Sequence, residues 1–96
     1  MSIRHIVMWK LRDPADAARF VVLLKSCAGL VPGMEQFEVA ARTDGLEASC
    51  DVALLSTFAD AATLAAYQNH PHHKQVGAQL GTMRDQRHVF DYQIGE

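Results

Sequence analysis

A strand that is apolar on both faces is hard for a short chain to hide, and this chain opens with one. Over residues 3–11, Ile3, His5, Val7, Trp9 and Leu11 fall on one face of an extended segment, and Arg4, Ile6, Met8 and Lys10 on the other. Later segments share the alternation. Residues 34–42 set Phe37, Val39 and Ala41 against Glu38, Ala40 and Arg42. Residues 50–58 set Val52, Leu54 and Phe58 against Ala53 and Leu55, and residues 87–94 set His88, Phe90, Tyr92 and Ile94 against Val89, Asp91 and Gln93.

Two helical stretches separate these strands. Asp13-Pro14 supplies an N-cap and a first-turn proline, with Asp16 near the positive end of the helix dipole. Phe20, Leu23, Leu24, Cys27, Leu30 and Val31 then recur at helical spacing until Pro32-Gly33 ends the run. Asp60 caps a second helix carrying Leu64 and Tyr67. His70-Pro71 interrupts it, because a residue before proline is pushed out of the helical region. Pro71 opens a further piece with Val76 and Leu80 four apart, weakened by Gly77 and Gly81.

The resulting order is β-α-β-β-α-β. Right-handed crossovers turn it into an α+β, ferredoxin-like domain over residues 1–96, a four-stranded antiparallel sheet with the helices on one face. The other face then carries exposed apolar side chains, which soluble monomers avoid. A second copy of the sheet solves the problem, so a homodimer through the open sheet face is the expectation; the alternative is an open face that binds a different protein.

Bulk numbers narrow the function classes. The chain has 96 residues, 49% of them hydrophobic and 21% charged, with a formal net charge of −2. That composition lacks the basic excess by which nucleic-acid binders neutralise phosphates, and no apolar run reaches membrane-span length. Arg4 and Lys10 interrupt the short apolar N-terminal stretch, unlike a secretory signal. A cytoplasmic protein with Cys27 and Cys50 reduced is therefore expected, with no nucleic acid and no membrane as partners. His70 and His73, with His5 as a third ligand, do not form a recognisable zinc spacing, so no metal and no other cofactor is expected.

Two short segments carry a resemblance. His5-Ile6-Val7-Met8-Trp9-Lys10-Leu11 and Tyr67-Gln68-Asn69-His70-Pro71-His72-His73, followed by a closing Val89-Phe90-Asp91-Tyr92, look like the stress-responsive dimeric α+β-barrel family over about residues 3–94. The resemblance implies a homodimer whose sheets face each other, with a cavity between sheet and helices in each subunit. It also implies a small apolar or aromatic carbonyl compound as ligand. One plant branch consists of polyketide cyclases that close an aromatic ring by aldol condensation. By matching that branch, Tyr67 and His73 become the acid/base pair, and His5 a histidine lining the pocket. A histidine can take a proton α to a carbonyl, and a phenol can donate to the developing enolate oxygen. Trp9 shares a face with His5 and can stack on a flat ligand. His70 completes the candidate ligand-binding set. The cyclases also place a histidine on the third strand, where this chain has Asp51 or Val52.

Each residue has a plainer alternative. Tyr67 can pack its ring and point its hydroxyl at a protein partner. His70 can satisfy backbone groups where the helix breaks, His72 can be a solvated surface residue, and His73 can pack between helix and sheet. His5 and Trp9 can belong to the core, and Asp91-Tyr92 to dimer contacts. The family-level function is thus a ligand-binding dimer, with a non-catalytic interaction module and a cyclase-like lyase or isomerase as alternatives. The readings separate on whether Tyr67, His73 and His5 converge on one reachable cavity.

Overall fold

The structure, a computed structural model, describes residues 1–95. Its strands are β1 (Ser2–Leu11), β2 (Met34–Ala41), β3 (Val52–Phe58) and β4 (Arg84–Ile94); its helices are α1 (Ala17–Lys25), α2 (Ala61–Asn69) and α3 (Pro71–Gly81). The strands form one sheet in the order β2-β3-β1-β4, with every neighbouring pair antiparallel. This is the ferredoxin-like arrangement that the element order implies.

Alternation along β1 decides which face the helices cover. His5, Val7, Trp9 and Leu11 are buried, whereas Met8 and Lys10 are exposed. Val52, Leu54 and Phe58 of β3 join the same core, with Phe20 and Leu24 from α1, Leu64 and Tyr67 from α2, and Val76 and Leu80 from α3. Trp9 meets Phe20 edge-on with ring centroids 5.2 Å apart. Phe58 lies 5.0 Å from the Tyr67 ring, tying α2 to the sheet.

Sequence signals and structure part company at the element ends. Asp13 caps as expected, its Oδ1 accepting from the Ala15 amide at 3.0 Å, but Pro14–Asp16 winds as a 3-10 turn before α1 begins. The apolar stripe through Val31 predicts a longer helix than is found. After Lys25 the chain tightens into i→i+3 bonds, Cys27 to the Leu24 carbonyl and Ala28 to the Lys25 carbonyl, and Gly29 turns left-handed at φ 71°. Leu30 and Val31 still pack on the core, so their spacing reflects burial without helix. Gly33 has a sharper requirement. Its φ is 93°, and a Cβ there would lie 3.0 Å from Thr63 Cγ2 of α2. Its carbonyl also accepts from the Ala59 amide at 2.8 Å, which closes the turn into β2 against the start of α2.

The break at His70-Pro71 is sharp. His70 is extended, at φ −63° and ψ 136°, and separates α2 from α3. The last strand begins at Arg84, earlier than the alternation over 87–94 suggests, and its register with β1 shifts between Lys10 and Leu11. That early start adds Arg84 to an edge strand that already carries Arg87.

On the uncovered face lie Ile6, Met8, Leu55, Phe90 and Tyr92. Phe90 is 65% exposed and Met8 43%. Arg4 shares this face and donates to the Tyr92 hydroxyl at 3.4 Å, while its Nε is buried without a partner among the described residues.

Candidate functional site

Between α3 and the β1–β4 half of the sheet lies a cavity of about 220 Å³. Apolar walls come from Val7, Trp9, Leu24, Leu54, Val76 and Leu80, and its polar groups from His5, Tyr67, His73, Cys27, Arg84 and Arg87. Four of the five candidate residues, Tyr67, His73, His5 and Trp9, therefore meet in one space. His70 does not. Its Nδ1 accepts from the His72 amide at 3.1 Å and caps α3, so the expected ligand-binding role gives way to a backbone one. His72 is likewise engaged away from the cavity, its Nε2 2.8 Å from Ser26 Oγ on the turn after α1.

Tyr67 sits at the core end. Its ring is 1% exposed and packed by Phe58, Phe37 and His73. Burial, reinforced by the neighbouring Cys27 thiol, pushes the phenol well above its ordinary range. It stays protonated, so toward an oxygen in the cavity it can donate. His73 stands one turn into α3, its ring centroid 4.5 Å from that of Tyr67 in an edge-on arrangement. Desolvation lowers its pKa, opposed by the Gln68 backbone carbonyl. It is thus neutral at physiological pH and free to accept a proton. The two environments push the phenol toward keeping its proton and the imidazole toward lacking one, which is the division of labour an acid/base pair requires.

His5 has a partner that sequence reasoning assigned elsewhere. Its Nδ1 lies 2.5 Å from Asp91 Oδ1. The two residues are direct partners across the β1–β4 ladder, and the pair is out of reach of a sequence pattern that places them 86 positions apart. A carboxylate on Nδ1 favours the tautomer protonated there, which leaves Nε2 as the lone-pair nitrogen. Phe58 backs the imidazole edge-on, with centroids 6.2 Å apart.

No histidine occurs on β3. Leu54 lines the cavity from β3. Asp51 points away: its Oδ2 accepts from the Leu11 amide at 2.8 Å, and its Oδ1 lies 3.8 Å from the Arg42 guanidinium. Val52 is buried in the core outside the cavity. Cys27 lines the cavity, but burial raises its thiol pKa and makes it a poor nucleophile. Among the described residues no three His, Cys, Asp or Glu side chains are grouped to hold a metal ion, and no helix is long and apolar enough to cross a membrane.

Comparison with known proteins places this geometry in context. The sequence model of the stress-responsive A/B barrel domain matches residues 3–94. Among solved structures, a dimeric ferredoxin-like protein of unknown function from Thermobifida fusca superposes with a TM-score of 0.87 at 22% identity, covering 98% of this chain and 92% of that one. A Dabb-family protein with a ferredoxin-like fold from Mesorhizobium loti gives 0.80 at 24% identity, covering 99% and 98%. A dimeric ferredoxin-like protein of unknown function from a Jannaschia species gives 0.81 at 25% identity, covering 98% and 100%. No curated protein matches the sequence.

Proposed function

The chain belongs to the stress-responsive A/B barrel domain family, and from that membership we propose that it forms a homodimer whose subunits each bind a small apolar or aromatic carbonyl compound. The ligand sits in the cavity between sheet and helices. The observation that carries this reading is the convergence of Tyr67, His73, His5 and Trp9 on that cavity. A space filled by protein side chains, with these polar groups satisfied by backbone, would have favoured a purely structural module.

Size sets the ligand's scale. An apolar cavity of about 150 Å³ takes benzene, whereas drug-sized ligands need roughly 300 Å³ or more. At about 220 Å³ the space suits one substituted ring or a short ketone. The Tyr67 hydroxyl donates to the carbonyl oxygen, and neutral His73 accepts a hydrogen bond or a proton from the adjacent carbon. His5, oriented by Asp91, offers a second lone pair.

The dimer forms through the uncovered sheet face. Phe90, Tyr92, Met8 and Ile6 supply its apolar centre, and the buried Arg4 Nε, unpartnered among the described residues, finds an acceptor on the second copy. The dimeric Thermobifida and Jannaschia proteins support a dimer as such.

The His5–Asp91 pair favours a second reading, a polyketide-cyclase-like lyase or isomerase acting by proton transfer. Apolar Leu54 at the cavity wall of β3 weighs against the cyclases' own reaction. Binding of acetophenone, followed by calorimetry on the wild type and Tyr67→Phe, tests the primary reading. Saturable binding that weakens about five- to tenfold on loss of one hydroxyl is expected. Absence of binding across a panel of small aryl ketones defeats it.

A further inference from the structure

The two cations of the cavity have no part in the carbonyl chemistry. Arg84 and Arg87 both line it, two residues from different pleats of β4 brought together where the register with β1 shifts. Neither guanidinium has a carboxylate within ion-pairing distance among the described residues; the ion pairs found are His5–Asp91 and Arg42–Asp51. Asp91 is the acid that acts on Arg87, and it is already held by His5. Among the described residues the lining contains no Asp or Glu. Within a chain of net charge −2, this cavity is therefore a concentrated positive spot against apolar walls.

Arg84 is half-buried and Arg87 reaches in from the exposed edge strand, where partial desolvation and the neighbouring Arg84 both disfavour its charge. Proteins rarely set two like charges beside an apolar wall unless an opposite charge joins them, and a planar carboxylate matches the guanidinium fork with two parallel hydrogen bonds. Along β4, Arg87 lies opposite Trp9 and Asp91 opposite His5. The cationic end and the imidazole end are thus four strand positions apart, roughly 13 Å between backbones. Side chains reaching inward from both ends leave room for one ring between them.

We propose that the ligand is an acid: a single-ring aromatic or short keto carboxylic acid whose carboxylate is clamped by Arg84 and Arg87, with its carbonyl or hydroxyl directed at Tyr67 and His73. This rests on the ligand-binding reading above and narrows its substrate class.

Three probes of nearly equal shape separate the two ideas: benzoate, benzamide and acetophenone, each titrated calorimetrically into the full chain. Benzoate is expected to bind at least about tenfold more tightly than benzamide at low salt, and to lose that advantage as ionic strength rises. Arg84→Gln/Arg87→Gln is expected to bring benzoate down to the benzamide level, while Arg87→Lys keeps part of the preference. Equal binding of benzoate and benzamide by the wild type overturns the acid assignment without any variant, and so does a preference that survives the double replacement. Binding of acetophenone alongside such equality leaves the carbonyl-binding reading standing. Failure of all three probes to bind overturns both.

Discussion

At the residue scale, the site depends on opposite perturbations of two adjacent rings. Tyr67 is held protonated by burial and His73 is held neutral by desolvation. A histidine whose folded pKa lies below its unfolded value of about 6.5 binds a proton more readily when the chain unfolds. Its contribution to stability is therefore complete above that pH and is lost as pH falls from about 6.5 through the folded pKa. Chemical denaturation of the wild type and His73→Phe between pH 8 and 5 should show a shallower acid-side decline in the variant. Tyr67→Phe should retain the fold, at a cost of about 1 kcal/mol or less, since the ring supplies the packing. Tyr67→Ala should cost about 3–5 kcal/mol by opening a cavity among Phe58, Phe37 and His73, read from a urea midpoint shift.

Sequence reasoning reached these residues unevenly, for physical reasons. Tyr67 and His73 lie in one short motif, and His5 and Trp9 share a strand face, so the pattern itself places them together. The roles of Asp91, Arg84 and Arg87 depend on the pairing register of β4, a long-range property that no local spacing encodes. His70 shows the reverse case. Its position before proline already pointed to a capping duty, and the motif alone drew it toward the ligand.

At the scale of elements, both ends of α2 were readable and the end of α1 was not. Asp60 announces α2 and is found accepting from the Thr63 amide at 2.7 Å. Asp60→Ala should cost about 1 kcal/mol, measured by thermal or urea denaturation. The end of α1 is set by the turn geometry of Gly29 and Gly33, which hydrophobic spacing through Val31 overrides on paper but not in the chain. Gly33→Ala should destabilise by about 1–2 kcal/mol from backbone strain alone, with the approach to Thr63 adding to it. Gly29→Ala, which meets nothing within 4 Å, should show only the strain component. Comparing the two variants' urea midpoints isolates the packing contribution.

At the scale of the whole molecule, the two faces of the sheet have different duties. The helix face builds the cavity, and the other face, with Phe90 and Met8 in solvent, requires a cover. The order of elements made this asymmetry legible, because right-handed crossovers in a β-α-β-β-α-β chain put all the helices on one face of the sheet. Phe90→Asp should convert the proposed dimer to a monomer, detected by sedimentation velocity, by placing a charge at the centre of the apolar patch. The cavity lies on the helix side of the sheet, away from Phe90 and Met8. A monomeric variant that stays folded should therefore retain ligand binding.

The central claim is that the cavity at Tyr67, His73 and His5 receives a small carbonyl ligand. The most direct measurement is a nitrogen-15 NMR titration of the full chain with acetophenone, read at the indole of Trp9, the sole tryptophan, and at the five histidine rings. The expected result is saturable movement of the Trp9, His5 and His73 signals at one common affinity, with His88 unmoved on the opposite face and His72 held on Ser26. Signals of Trp9, His5 and His73 that stay fixed at saturating ketone, or that move no more than those of His72 and His88, would contradict it.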